Sequence, residues 1–285
     1  MNDGVNPRAF WNARFGKVGH TGELNPLLYA YDQPQRLRAI DQALSRTRVQ
    51  INSNTNVLDI GCGTGDVINL LMNYGEPGIT GVDISDEAIA HARRRFAARK
   101  KVRLLTAGIE EVNFPSSSFD LVIGINVLQH ITDEQAFLGI VEAIVRISKG
   151  NGHILVMDFS PVKVANRQPA PYVVYRSKRE YIDAFEKAGC EFVSEFGLPR
   201  IGVRLYRAVG TFGGILRHLG YRARPATDGQ LTNGHDGGKS PWRPHMGDFM
   251  RSLVLKIARP LDHAFAPFPS RFTDMRILIF QVASK

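Results

Sequence analysis

Asp59, Gly61, Gly63 and Gly65 alternate along the stretch "VLDIGCGTGD" at residues 57–66, and together they describe a strand that turns sharply around a ligand. Glycine lets a backbone come close to a bound molecule, because no Cβ intervenes. A dinucleotide fingerprint, G-x-G-x-x-G, would place its third glycine at residue 66. The chain has Asp66 there, which weakens a hydride-transfer reading. The acid before the loop, Asp59, would repel bound phosphates and suits a ligand with a cationic amine or sulfonium. A second acid, Asp83 in "GVDIS", follows Gly61 by 22 residues. At that separation a carboxylate on the neighbouring strand can accept hydrogen bonds from both hydroxyls of a ribose. Capping of the following helix, the other use for such an acid, falls to Ser85.

The elements that must position these residues follow from the hydropathy pattern. Between residues 55 and about 160, the strand-like runs "NVLDI", "GITGVDI", "VRLLTA", "FDLVIGI" and "GHILVMDF" alternate with the helix-like "DVINLLMNYG", "SDEAIAHARRRFAARK" and "DEQAFLGIVEAIVRIS". Strands that are apolar along their length and separated by helices belong to a parallel sheet covered on both faces, so the pattern predicts a doubly wound α/β domain. A helix "SKREYIDAFEKAG", a strand "CEFVSEF" and a last strand "RILIFQVA" complete it. Residues 1–50 form a segment of helices joined by a Gly-rich loop, residues 51–196 with 273–285 form the core, and residues 197–272 form an insertion. A structureless loop as long as that insertion is improbable inside a compact domain, so it is expected to be mainly helical, from "RLYRAVGTFGGILRHLGYRARP" to "MGDFMRSLVLKIARPLDHAF". "TDGQLTNGHDGGKSP" between them is turn-rich.

The 285 residues suit one large domain with an insertion. No apolar run approaches the ~18 residues of a bilayer span, and the N-terminus lacks the basic and apolar regions of a signal peptide. Two cysteines, Cys62 and Cys190, are too few for a disulfide framework. These features predict a reduced, cytoplasmic chain. The net charge of +9 is unevenly placed: residues 1–196 carry 22 Lys and Arg against 22 Asp and Glu, and residues 197–285 carry 14 against 5. The last third is therefore a candidate surface for an anionic partner, and its basic amphipathic helices suit either a substrate lid or peripheral contact with a membrane.

With these residues in place, the chain resembles the class I S-adenosylmethionine-dependent methyltransferases of the small-molecule kind. "VLDIGCGTG" matches that family's first motif, "GVDIS" its second-strand acid, "FPSSSFDLVIGINVLQHI" its fourth-strand region and "GHILVMD" its fifth strand. The resemblance implies a mostly parallel seven-stranded sheet with an antiparallel last strand and an N-terminal helical lid. It also implies S-adenosylmethionine as cofactor, leaving as S-adenosylhomocysteine. Carried over, it sets Gly61, Cys62 and Gly63 around the methionine part, Asp59 near its amino group, Asp83 on the ribose and Ile84 on the adenine. The acid that commonly binds the adenine amine is replaced by Gly108, which leaves the backbone of Ile109 for that contact. Ile125 and Asn126 are implied to face the methionine end.

Methyl transfer is an in-line displacement, and a hydroxyl nucleophile also needs a base within hydrogen-bond reach. His130, at the end of "NVLQH", is the first candidate; His20 and Asp32, in the lid segment, are the next. Trp11, Phe15, Tyr29 and Tyr31 could shield a sulfonium, whose charge aromatic faces favour, or could pack the helices onto the sheet. Arg36 could reach a carboxylate of cofactor or substrate. The leading expectation is O-methylation of a small molecule or glycan, an anionic one included. N- and C-methylation are its rivals, and a non-catalytic cofactor-binding partner protein is the alternative of another class. Nucleic-acid base methylation is disfavoured because Asn126 and Val127 follow the fourth strand in place of an Asn/Asp-Pro-Pro-aromatic motif. Asp120 and Asp133 are the acids near that strand, too few for a metal-assisted catechol enzyme, and no metal is expected.

Overall fold

The strands are β1 (Asn56–Ile60), β2 (Gly78–Asp83), β3 (Val102–Thr106), β4 (Phe119–Ile125), β5 (Ser148–Phe159), β6 (Cys190–Gly197) and β7 (Met275–Val282). The computed structural model describes residues 6–20, 22–47, 50–198, 200–208, 246–265 and 273–284. The seven strands form one sheet in the order β3-β2-β1-β4-β5-β7-β6. All neighbours are parallel except β7, which runs antiparallel to both β5 and β6. The helices are α1 (Pro7–Val18), α2 (Pro26–Arg46), α3 (Asp66–Leu71), α4 (Asp86–Arg95), α5 (Glu134–Ile147), α6 (Lys178–Lys187), α7 (residues 201–208) and α8 (Met246–Phe265).

The doubly wound architecture follows from the side-chain alternation of the strands. Leu58, Ile60, Val122 and Val156 pack on one face against Phe137, Ile140 and Ile144 of α5 and Tyr181 and Phe185 of α6. Val57, Leu121, Ile123 and Leu155 pack on the other against Ile40 and Leu44 of α2, Ile68 and Leu71 of α3 and Ile89 of α4. With both faces covered, the central strands are buried almost throughout, as in β1 and β7. The helices start where short polar side chains satisfy their first N–H groups. Asn6 accepts from Ala9, Asn25 from Leu27 and Leu28, Ser85 from Ala88 and Asp133 from Ala136. At α6, Ser177 and Glu180 form a reciprocal capping box.

The chain divides into two compact units, Met1–Pro199 with Ala266–Lys285 and, separately, Arg200–Phe265. In the second unit, Asp262 of α8 accepts hydrogen bonds from the N–H groups of Ile201 (2.7 Å) and Gly202 (3.2 Å), so a carboxylate meets the positive end of α7. From residue 209 onward the helix expected over 204–225, and all of the turn-rich segment 227–241, lie outside the described residues. No helix among the described residues is long and apolar enough to cross a membrane.

Candidate active site

The loop after β1 is held in shape by its own hydrogen bonds. The N–H groups of Gly61 and Cys62 donate to the Val82 carbonyl, that of Gly63 to Asp83 Oδ2 (2.8 Å), and that of Gly65 to the Cys62 carbonyl. Four of the loop's N–H groups are thereby consumed, so this is not the row of open donors that cradles a phosphate. Gly61, Gly63 and Gly65 all have left-handed φ values of 68°, 52° and 84°. Space demands glycine as well: a Cβ on Gly61 would lie 2.2 Å from Val127 Cγ2, and one on Gly65 would lie 2.3 Å from the Phe96 ring. Cys62 is buried beneath the loop, and burial pushes its thiol well above the ordinary value.

Two acids lie under this loop. Asp59 is 1% exposed, on the sheet face covered by α2, α3 and α4, and its Oδ2 has no hydrogen-bond partner among the described residues. Burial raises its carboxyl well above the usual range, and the neighbouring Asp83 and Asp66 charges add to the effect. A buried acceptor of this kind fits an ammonium donor, whose charge would offset the desolvation. Asp83 is also buried. Its two oxygens accept from the N–H groups of Gly63 (2.8 Å) and Ser85 (2.9 Å), which lower the pKa that burial raises. Each oxygen retains a lone pair, so Asp83 can brace the loop and still accept from a ribose. The capping of α4 belongs to Ser85.

The ends of the neighbouring strands complete the donor side. Ile84 is half-buried just after β2. After β3, the Gly108 N–H donates to Glu111 Oε2 (2.8 Å), and the Ile109 side chain is buried. After β4, Ile125 is half-buried, and Asn126 takes a left-handed φ of 56°, which asparagine tolerates better than most residues. Its N–H donates to the Met157 carbonyl, and its buried Oδ1 lacks a partner among the described residues.

The N-terminal helices are tied to this edge by polar contacts. Arg8 reaches Glu111 (3.0 Å) and Asp86 (3.6 Å), and Asn12 exchanges two hydrogen bonds with Asp86. Asp66 gathers Gln33 of α2 (2.9 Å), the Tyr29 hydroxyl (3.5 Å) and Arg95 of α4 (2.7 Å). Tyr31 is buried. Arg36 lies 2.6 Å from Asp32 one turn earlier on α2, which makes Asp32 the counter-ion of this guanidinium rather than an open base. Its buried Nε has no partner among the described residues and is a donor suited to a ligand carboxylate. His20 stacks on Tyr29 at 3.6 Å, and burial, with the Arg14 charge, lowers its pKa.

His130 ends a single 3-10 turn, Leu128–His130, whose approach residue Val127 touches Gly61. Its Nδ1 lies 2.8 Å from the Tyr172 carbonyl; a carbonyl only accepts, so Nδ1 carries the proton and Nε2 keeps a lone pair. The Gln129 amide oxygen accepts from Phe159 N–H, which turns the amide nitrogen toward His130 Nε2 at 3.4 Å. Burial pushes the imidazole down to about 4 despite the Tyr172 hydrogen bond, and the Arg14 charge assists. Trp11 meets the imidazole edge-on at 4.8 Å, Tyr172 lies 6.2 Å away, and Phe10 packs on Tyr172 at 4.6 Å. The result is an uncharged base in an aromatic surround.

Several residues that hold this turn were not singled out in the sequence. The fully buried Arg176 donates to the carbonyls of Leu128 (3.3 Å) and Ile131 (2.9 Å) and to Glu134 (3.1 Å), with its guanidinium 3.8 Å from the Phe137 ring centre. Asp158, at the end of β5, accepts from the Tyr181 hydroxyl at 3.1 Å, and burial pushes its carboxyl up to about 8. Asp158 closes the apolar run "GHILVMD" and could have been noticed; Tyr172 and Arg176 lie in a segment without periodicity. Asp120 pairs with Lys149 (2.8 Å) and accepts from Asn56 N–H at the opposite end of β4, and Asp133 caps α5. No group of metal-binding side chains occurs among the described residues.

Residues 57–152 match the family model described as a methyltransferase domain. The chain is 28% identical over 210 residues to 2-methyl-6-phytyl-1,4-hydroquinone methyltransferase 2, chloroplastic, of Oryza sativa subsp. japonica, an alignment covering 73% of this chain and 57% of the rice protein. It is 29% identical over 191 residues to the ubiquinone biosynthesis O-methyltransferase of Bradyrhizobium sp. (strain ORS 278), covering 67% of this chain and 70% of that protein. The crystal structure of the [4+2]-cyclase SpnF matches over 96% of this chain and 95% of its own, with a TM-score of 0.58 and 16% identity, a likeness of fold alone. The buried unpaired acceptors at Asp59 and Asn126, the donor at Arg36 and the bracing acid Asp83 fit the amino, carboxylate and ribose groups of one cofactor. The chain spans between about two fifths and three fifths of the length of the first curated relatives it matches, and by motif, fold and relatives it is similar to the class I S-adenosylmethionine-dependent methyltransferases.

Proposed function

We propose that this protein transfers a methyl group to a hydroxyl of a small, planar, hydroquinone-like acceptor, acting in the cytoplasm. The observation that carries the reading is His130, held among Phe10, Trp11 and Tyr172 with its proton on Nδ1 and an Nε2 lone pair met, among the described residues, only by the long 3.4 Å contact from the Gln129 amide, on a turn whose Val127 touches the glycine loop. Bound S-adenosylmethionine supplies an electrophilic methyl on a cationic sulfur. Asp59 and Asn126 would accept from the cofactor's amino group, Arg36 Nε would donate to its carboxylate, and Asp83 would accept from its ribose. Aromatic walls orient a flat acceptor and exclude water, so positioning supplies much of the rate. A base with a pKa of about 4 does not ionise a phenol in advance, since a phenol's ordinary value is about 10. It can take the proton as the new bond forms, when the oxygen's acidity has risen sharply.

The relatives favour an aromatic acceptor over a glycan, one being named for a hydroquinone and the other for ubiquinone biosynthesis. The test is incubation with isotopically labelled S-adenosylmethionine and parallel panels of dihydroxy-aromatics and sugars. Label in an aromatic product supports the reading. Label only in sugars contradicts it, and tight cofactor binding with no product from any acceptor favours a non-catalytic role.

A further inference from the structure

α8 is apolar on two faces. Leu255, Ala258 and Asp262 point inward, whereas Leu253, Ile257 and Leu261, spaced four residues apart, form a second stripe that is 38%, 61% and 43% exposed. Residues four apart share one side of a helix, and this side lies away from the buried one. Of eight large hydrophobic side chains exposed among the described residues, four are in this unit, Leu205 of α7 being the fourth. The concentration marks an interaction surface, since single exposed apolar residues elsewhere need no explanation. Exposed basic side chains lie on the same two helices. Lys256 borders the stripe and is exposed; Arg259 is exposed as well but lies toward the other side of the helix, and Arg200, Arg204 and Arg207 lie in and before α7. Of the two acids on α8, Asp262 is buried and engaged on the α7 N-terminus.

We infer that the exposed side of α8 is a docking surface for a lipid bilayer rich in anionic headgroups. The interface of such a bilayer takes up both features, the apolar stripe at the acyl boundary and the cations among the headgroups. A second copy of the chain fits less well, because pairing the same face would set Lys256 against its own like charge. A nucleic acid would engage the cations and leave Leu253, Ile257 and Leu261 in water. The surface lies wholly within the second compact unit and does not depend on the methyl acceptor.

The experiment is co-sedimentation of the full chain with vesicles of phosphatidylcholine alone and of phosphatidylcholine mixed with phosphatidylglycerol, at low and high salt. The expected result is binding to the anionic vesicles, little to the neutral ones, and weakening by salt. Lys256→Gln should lower the affinity about fivefold, and Ile257→Gln with Leu261→Gln about tenfold or more. All three changes are at exposed positions, so melting should stay the same; salt dependence of the unaltered protein provides a readout that needs no variant. Absence of vesicle binding overturns the inference, as does full binding by the Ile257→Gln, Leu261→Gln protein. A dimer that this double variant dissociates, without lipid binding, overturns it in favour of self-association.

Discussion

Gly61 and Val127 are in direct contact: a Cβ on Gly61 would lie 2.2 Å from Val127 Cγ2. The contact joins the loop after β1, which shapes the donor site, to the turn after β4, which carries His130. Because β1 and β4 are parallel neighbours, both features emerge at the C-terminal edge of the sheet, where open α/β folds place their ligands.

Gly61→Ala should therefore disturb both sides of the site. The substitution meets a φ of 68° and a side chain at clash distance, and overpacking of this kind costs about 1–3 kcal/mol. Thermal melting should show the loss, and calorimetry with S-adenosylhomocysteine should show weakened binding. An unchanged melting point and affinity would mean the loop has slack that the geometry denies.

Asp59→Asn keeps the shape and removes the charge. If Asp59 meets the cofactor's ammonium, affinity should fall about 10- to 100-fold, the worth of a charge-assisted hydrogen bond of about 1.5–3 kcal/mol. Ligand-free stability should hold or rise, since the native carboxyl is buried with an unpaired oxygen. Equal affinity of the two proteins at neutral pH would remove Asp59 from the site.

His130→Ala should lower kcat about 10²- to 10⁴-fold, the usual range for a positioned base, and spare cofactor affinity. With a pKa of about 4 the imidazole stays in its basic form well below the ordinary 6.5. The rate should accordingly not fall as pH drops from 7.5 to about 5, provided the protein remains folded. A rate that halves near pH 6.5 would show an unshifted histidine.

Asp158 makes a pH signature in stability. Its carboxyl holds a proton up to about pH 8 when folded but ionises near 3.8 when unfolded, so between these values the folded state binds the extra proton and stability falls as pH rises. His130 has the opposite slope, confined to the interval between about 4 and 6.5. From pH 6.5 to 8 the His130 effect is gone, and Asp158→Asn should make the decline seen in urea titrations shallower; the buried Asp59 carboxyl, also raised, contributes a slope of the same sign. A decline of equal steepness in the variant would place its origin elsewhere.

Much of this was legible in the sequence because it rests on short-range patterns. β1 occupies "NVLDI" as the apolar run predicts, and Ser85 caps α4 as its position implies. α4 ends at Arg95 although "RRRFAARK" continues the helical pattern, and the Phe96 ring that follows packs where Gly65 would otherwise carry a Cβ. β5 starts at Ser148, ahead of its apolar run, since Ser148 pairs with Phe119 across a register shift. At the site, Asp59, Asp83 and the glycines are close in sequence to the turns they shape. The pairing of Arg36 with Asp32 was available from their four-residue spacing, which competes with the assignment of each to a ligand or a proton. The Tyr172 carbonyl that sets the His130 tautomer lies 42 residues away in an irregular segment, and Arg176 acts through carbonyls, which no side-chain pattern reveals.

The most direct measurement is to supply S-adenosylmethionine labelled with carbon-13 at its methyl, with a substituted hydroquinone as acceptor, and to record the carbon spectrum of the product. The account predicts a signal in the methoxy region that grows with enzyme and disappears with the His130→Ala protein. A signal in the aryl-methyl region, an N-methyl product, or no transfer to any hydroxylated aromatic acceptor would contradict it.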